Sequence, residues 1–395
     1  MTPAARVQAA VGVLDQVLAG RPAEAALTGW ARGSRFAGSG DRVAVRDLVF
    51  DSLRCLRSFT ALAGASEPSG RALMIGKIRA EATDPVDLFT GASYAPPPLS
   101  TEEQAALAAA PDLDSLADGV RFDWPDWLLD AVRSAWGAEA PAVMAAQRQR
   151  APVFLRVNGI KADRPAAIAA LAADGIEATP SDLAETALVV VKNASKIKAS
   201  RAYLDGLVEL QDAASQAAVE CLPLADGDQV LDYCAGGGGK ALAMAARARL
   251  ALAAHDADPA RMRDLPARAA RAGAAIACVD AKALKGRQFD LVLVDAPCSG
   301  SGTWRRTPDA KWRLTPARLQ DLCRLQAEVL TAAAFHVRPG GRLAYMTCSI
   351  LGCENEDQTA TFVAQNPGFR LDWQRRFSPV TGGDGFFAAL LTRDR

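Results

Sequence analysis

Residues 228–250 read DQVLDYCAGGGGKALAMAARARL. Val230 to Tyr233 is a short apolar run with one acid, which predicts a buried strand. Gly236 to Gly239 follow at once, and from Lys240 the alanines and leucines recur as they do in a helix. Strand, glycine loop and helix in this order form the opening unit of a doubly wound sheet. Four glycines let the backbone approach a ligand and turn its amide N–H groups toward it. The alternation continues. ALAAHDAD (251–258) is a strand, PARMRDLPARAARAG (259–273) a helix, and AAIACVDA (274–281) a strand. FDLVLVDAP (289–297) is a strand buried on both faces. PARLQDLCRLQAEVLTAAAFHV (316–337) is a long helix, GGRLAYMTCS (340–349) a strand, and CENEDQTATFVAQN (353–366) a helix. Such alternation predicts a mostly parallel sheet that binds its ligand at the carboxyl ends of the strands.

Upstream the pattern differs. In residues 1–80, apolar residues recur at helical spacing through AARVQAAVGVLDQVLAG (4–20) and DRVAVRDLVFDSLRCLRSFTALAG (41–64), which predicts a helical bundle. Residues 81–150 hold the Pro- and Asp-rich stretch YAPPPLSTEEQAALAAAPDLDSLADG, expected to be a linker with one short helix. WPDWLLDAVRSAWG follows and predicts a helix with Pro125 near its start. Residues 151–215 contain PVFLRVNGI and ALVVVKN as strands, with RPAAIAALAADG as a helix between them, a small α/β unit. The doubly wound domain is expected over 216–395.

Composition bounds the function. The 395 residues are half hydrophobic and 23% charged, as in soluble globular chains. No unbroken apolar run is long enough for a membrane span. The first twenty residues read as an amphipathic helix, not as a signal peptide, so a cytoplasmic location is expected. Eight cysteines include no CxxC pair and there are two histidines, so zinc-ligand spacing is absent and no metal is expected. Net charge is zero but uneven: residues 1–80 carry 11 Lys/Arg against 6 Asp/Glu, and residues 81–135 carry 2 against 11. The basic end suits a polyanion, or is an ordinary helical surface.

The glycine loop admits three ligands. A phosphate-binding P-loop needs a glycine at position 234 and Ser or Thr at 241, where this chain has Cys234 and Ala241. A dinucleotide site wants a glycine at 241 and survives weakly. S-adenosylmethionine (AdoMet) is the third. Asp256, Asp280 and Asp295 end three successive strands. Carboxylates there suit a neutral-to-positive nucleoside better than a pyrophosphate, which they repel. The alternative for Asp256 and Asp280 is that each caps the helix that follows.

Two thiols converge on the same crevice. Cys298 lies three residues beyond the FDLVLVD strand, and Cys348 ends the GRLAYMTCS strand. A thiol beside AdoMet fits methylation of a pyrimidine at carbon 5, which is a poor nucleophile. A thiolate that adds to carbon 6 makes carbon 5 enamine-like; after methylation a base takes the carbon-5 proton and the thiol leaves. Arg305, Arg306 and Lys311 are candidate cations that favour the thiolate. The residues alone leave open which thiol attacks.

LDYCAGGGGK, VDAPCSGSGTWRRTPDAKW and YMTCSILGCENEDQ resemble the signatures of the Sun/Nol/Nop family of RNA cytosine-5 methyltransferases. FLRVNGIK, VELQDAASQAAV and GGDGFFAALL are similar to further family segments, and residues 1–80 to the NusB-like domain of its bacterial, RsmB-like 16S rRNA branch. The resemblance implies a class I, Rossmann-like AdoMet-dependent methyltransferase with a mostly parallel seven-stranded sheet, a small α/β subdomain and an N-terminal all-α domain. It implies that Cys348 attacks carbon 6, that Cys298 assists release, and that Asp295 orients the base. It places AdoMet against Cys234, Ala235, Gly236, Gly237, Gly238, Gly239, Lys240, Asp256, Asp280 and Asp295, leaving S-adenosylhomocysteine as product. The implied target is a small-subunit rRNA cytosine, conventionally number 967, acted on by a monomer. A weakly catalytic rRNA-binding assembly factor, or methylation of another rRNA or tRNA cytosine, are the competing expectations. The chain departs from the family at Gly236-Gly237, where Ala-Pro is usual; the freer loop costs about 1 kcal/mol more to order.

Charge beside the PCS motif completes the picture. Arg305, Arg306, Lys311 and Arg313 stand against one acid, Asp309, and are expected to clamp RNA phosphates, with Arg156 extending the footprint. The bland alternative is a solvated surface loop. Trp304 could stack on a base or pack; for Trp312 packing is the simpler expectation.

Overall fold

The apolar runs after residue 150 become two sheets in the computed structural model, which describes residues 1–395. The smaller sheet holds Val153–Val157 (β1), Glu177–Pro180 (β2), Ala187–Lys192 (β3) and Val208–Leu210 (β4), in the order β2-β3-β1-β4 and antiparallel throughout. The helix Arg164–Ala173 covers one face, capped by Asp163, whose carboxylate accepts from Ala166 N–H at 2.9 Å. Leu155, Val157, Leu171, Leu188 and Val208 form its buried core.

The larger sheet has seven strands. They are Gln229–Asp232 (β5), Ala251–Ala254 (β6), Ile276–Cys278 (β7), Phe289–Asp295 (β8), Val337–Thr347 (β9), Phe369–Phe377 (β10) and Phe386–Arg393 (β11), ordered β10-β11-β9-β8-β5-β6-β7. Five strands are parallel, and β11 and β10 close one edge antiparallel. Helices on both faces explain why β8 is apolar almost without break: Leu291 to Val294 are all buried. From β5 the chain winds toward β7, and from β8 it winds the other way. The crevice at this switch point lies between the ends of β5 and β8, so Asp232 and Asp295 face it. The fold class expected from the alternation is the one observed.

The chain divides into two compact units, residues 1–150 with 304–314, and residues 151–303 with 315–395. Residues 81–150 therefore do not stand apart as a linker: Phe89 and Leu99 enter the same core as Leu14, Val49, Leu53, Leu73 and Met74. One short helix does occur in the Pro-rich stretch, Thr101–Ala109, held by a capping box between Ser100 and Glu103.

Residues 304–314 form the helix Pro308–Arg313 and the turn before it, and they are built into the helical unit. Trp304 packs on Trp124 with ring centroids 5.2 Å apart, both fully buried. Trp312 donates its indole N–H to Leu53 O at 2.7 Å. Lys311, 1% exposed, donates to Asp123 O at 2.6 Å and Arg54 O at 3.4 Å. Arg305 is buried; its N–H donates to Gln147 Oε1 at 3.0 Å, and its carbonyl accepts from Arg54 Nε at 2.6 Å. Asp123 anchors the region. Its carboxylate, 0% exposed, accepts from Ser58 N–H and Ser58 Oγ, both at 2.8 Å, and from Arg148 Nε at 2.8 Å.

The expected RNA clamp is thereby corrected at three positions. Lys311 spends its ammonium on carbonyls inside the helical unit, as a long cationic side chain can where carbonyls converge, and Arg305 is buried there as well. Arg156, 2% exposed, donates from Nη1 to Gln211 Oε1 at 2.5 Å and Gly239 O at 2.8 Å. Burial pushes its pKa down to about 10. It ties β1 to the glycine loop and is not open to a phosphate. Arg306 is half-buried, and Arg313 is exposed and pairs with Asp309 at 3.0 Å.

Candidate active site at the carboxyl ends of the parallel strands

Hydrogen bonding between β8 and β9 brings the two thiols together. Ala296 N–H, just past β8, donates to Met346 O at 2.9 Å, and the next residues lead Cys298 back over the end of β9. The Sγ atoms of Cys298 and Cys348 lie 3.4 Å apart. The loops are stitched further on: Gly302 N–H donates to Cys348 O at 2.9 Å, and Ser301 Oγ and Ser349 Oγ are 2.9 Å apart. Gly302 is required here, because a Cβ on it would fall 1.9 Å from Gly385 O.

The hydrogen bond with the Cys348 thiol, and then burial, push the Cys298 thiol well above the usual cysteine range. Burial and the neighbouring sulfur therefore both oppose a Cys298 thiolate. Cys234 is also inert: burial, then the charge of Asp232, push its thiol up to about 12.

Lys240, at the start of the helix Gly239–Ala245, supplies the nearby cation. Its Nζ lies 2.6 Å from Asp295 Oδ2 and 4.9 Å from the centroid of the Phe386 ring. Burial opposes its ammonium form, but the charge and hydrogen bond of Asp295 override that and raise its pKa above the ordinary lysine value. Its charge also faces Cys348. Arg305 and Lys311, expected to favour the thiolate, are buried within the helical unit.

The glycine loop is held open by its own acid. Gly236 (φ +49°) and Gly238 (φ +79°) occupy left-handed conformations, and Gly236 N–H donates to Asp256 Oδ2 at 2.9 Å. Asp256 is buried and paired with Arg261 at 3.2 Å. Gly237 takes a hydrogen bond at its carbonyl from Arg268, and a Cβ there would lie 2.9 Å from Arg268 Nη1. Ala235 is buried beneath the loop. Asp280 is exposed and caps the helix Ala281–Leu284 through Ala283 N–H at 2.8 Å, the alternative left open by the sequence.

Sequence reasoning missed Asp232. It ends β5, is fully buried, and neither carboxylate oxygen has a hydrogen-bond partner. Burial, then the charge of Asp295, push its pKa up to about 7. An orphaned buried carboxyl, with Asp256 and Asp295 at the neighbouring strand ends, fits a ligand that brings positive charge and hydrogen-bond donors, as AdoMet does. It repels a pyrophosphate.

Comparison with known proteins agrees with this geometry. Residues 219–392 match the family described as 16S rRNA methyltransferase RsmB/F, and residues 124–196 match the ferredoxin-like domain of RsmF/B-like methyltransferases. The chain is 36% identical over 290 residues to a ribosomal RNA small subunit methyltransferase B from Xylella fastidiosa, covering 69% of this chain and 67% of that one. With the protein of the same description from Serratia proteamaculans it is 28% identical over 397 residues, covering 89% and 91%. A solved methyltransferase homologue from Pyrococcus horikoshii shares the fold at a TM-score of 0.61 and 23% identity, over 72% of this chain and all of that one.

Proposed function

The chain belongs to the RsmB/F family of 16S rRNA methyltransferases and takes its methyl group from AdoMet, and on that premise we propose that it methylates carbon 5 of a small-subunit rRNA cytosine, number 967, in the cytoplasm. The observation that supports this reading is the pair of sulfurs 3.4 Å apart above the AdoMet crevice. AdoMet, when bound, supplies an electrophilic methyl. The protein's own groups do the rest. The target cytosine leaves its stack, as bases acted on by enzymes must. Asp295, fixed by Lys240 at 2.6 Å, orients the cytosine edge. The Cys348 sulfur, facing the Lys240 charge, forms a bond to carbon 6, and the electron pair displaced to carbon 5 takes the methyl. A base then takes the carbon-5 proton, the freed electron pair re-forms the 5,6 double bond, and the Cys348 sulfur leaves with the pair of the sulfur–carbon bond, with Cys298 as the adjacent group that assists release. Arg313, exposed beside Asp309, remains as the arginine of this segment open to RNA phosphate.

Bisulfite sequencing of rRNA from a deletion strain tests the target. Cytosine 967 is expected to lose its methylation and regain it on complementation; an unchanged 16S profile sinks that assignment. The glycine loop gives a second expectation. A Cβ on Gly238 would lie 2.1 Å from Leu265 Cδ1 and force an L-residue into the left-handed region, at about 1–2 kcal/mol before any clash. Gly238→Ala is expected to lower AdoMet affinity about tenfold by isothermal titration; unaltered affinity would show that AdoMet does not rely on this turn.

A further inference from the structure

Each active-site sulfur is followed by a serine, and both serines are bound to one carboxylate. Glu354, 0% exposed, ends the short turn Gly352–Glu354. Its Oε1 accepts from Ser299 N–H at 2.7 Å and from Gln326 Nε2 at 3.0 Å. Its Oε2 accepts from Ser299 Oγ and Ser349 Oγ, both at 2.5 Å. Gln326 also donates to Pro297 O at 2.9 Å, and Glu354 O accepts from Tyr345 OH at 2.7 Å. The residues flanking Cys298 and the residue after Cys348 are therefore gathered by a single buried group.

The chemistry of that group is specific. Four donors converge on two oxygens, and only a carboxylate offers acceptors at both ends with no donor of its own. No hydrogen-bonding cation shares the site, so Glu354 depends on these four bonds for its place in the interior. A buried charge satisfied by neutral donors holds them firmly, because bonds to an ionised acceptor are about twice as strong as neutral ones. Two loops that come from different strands, 50 residues apart, thus share one anchor.

We infer that Glu354 is a positioning residue that sets the distance and alignment of Cys298 and Cys348 by clamping the serine after each. This rests on the covalent reading above. Glu354 does not touch substrate. It acts through Ser299 and Ser349, and it matters because a misplacement of about 1 Å at a reacting atom can cost about 10²-fold in rate.

Glu354→Gln keeps the shape and replaces one acceptor by a donor. It is expected to lower kcat about 100-fold with KM for rRNA within about twofold. The second readout is the geometry itself. Diamide, which accepts two electrons and two protons, should join Cys298 to Cys348 readily in the unaltered protein and about tenfold more slowly in Glu354→Gln, measured by mass spectrometry of the linked peptides. Loss of turnover with unchanged cross-linking overturns the inference, as does wild-type behaviour in both readouts. Should Glu354→Gln unfold, Ser299→Ala/Ser349→Ala removes both hydroxyl donors, leaves the carboxylate and carries the same two expectations. A failure of the covalent reading shows separately, as absence of any protein–RNA adduct in Cys298→Ala with Glu354 intact.

Discussion

Cys348→Ala is expected to lose turnover by about 10⁴-fold or more and to form no covalent complex with rRNA, since it removes the sulfur proposed to attack carbon 6. Cys298→Ala is expected to behave differently. It keeps the attacking sulfur and loses the neighbour that assists release, so protein–RNA adduct should accumulate and survive a denaturing gel while turnover falls about 10²-fold. The asymmetry has a structural cause. With the sulfurs 3.4 Å apart, Cys298 lies within reach of the adduct that Cys348 forms, so its loss leaves attack intact and slows release. An adduct that accumulates in Cys348→Ala and not in Cys298→Ala would reverse the two roles.

The second large effect lies in the helical unit. Asp123→Ala is expected to destabilise that unit by about 3–5 kcal/mol, because it strips the half-buried Arg148 of its carboxylate and leaves the buried Lys311 without compensating charge. Asp123 is already under strain from burial, which raises its pKa against the opposing pull of Lys311 and Arg148. Burial likewise pushes Lys311 down to about 8. The sign of the pH effect follows. Between about pH 8 and the ordinary lysine value of 10.5, the unfolded chain holds a proton on residue 311 that the folded chain has shed. Stability contributed by this residue therefore rises with pH across that window, by at most about 3 kcal/mol. Relative to Lys311→Met, the unaltered protein should gain stability between pH 7.5 and 10, followed by hydrogen exchange of amides in the helical unit. A difference that stays constant with pH would mean Lys311 is not desolvated.

Much of this was legible before any coordinates. Alternating apolar segments with short connections specify a parallel sheet, and a parallel sheet sends the ends of β8 and β9 to one side, so the meeting of Cys298 with Cys348 followed from pattern alone. The destination of WRRTPDAKW was not legible. Its composition is that of a solvated basic loop, and local pattern cannot show that backbone carbonyls elsewhere are waiting for Lys311 or that Arg305 is buried. Arg156 failed for a related reason: a charged residue in an alternating strand reads as outward-facing, yet β1 is buried along nearly its whole length. Asp232 and Glu354 were overlooked because one acid inside an apolar strand, or at the start of a polar helix, has no sequence signature of burial. Their roles depend on what converges on them, or on what does not.

The assignment of Trp304–Leu314 to the helical unit has a consequence for synthesis on the ribosome. When residue 150 is made, the surroundings of Trp124 and Asp123 lack their last partners. These arrive only with residue 314, roughly ten to thirty seconds later at 5–20 residues per second. The first part of the chain to be made is thus among the last to be finished. A fragment ending at residue 150 would carry an open slot where Trp304 belongs, and it is the wrong boundary at which to cut this protein in two.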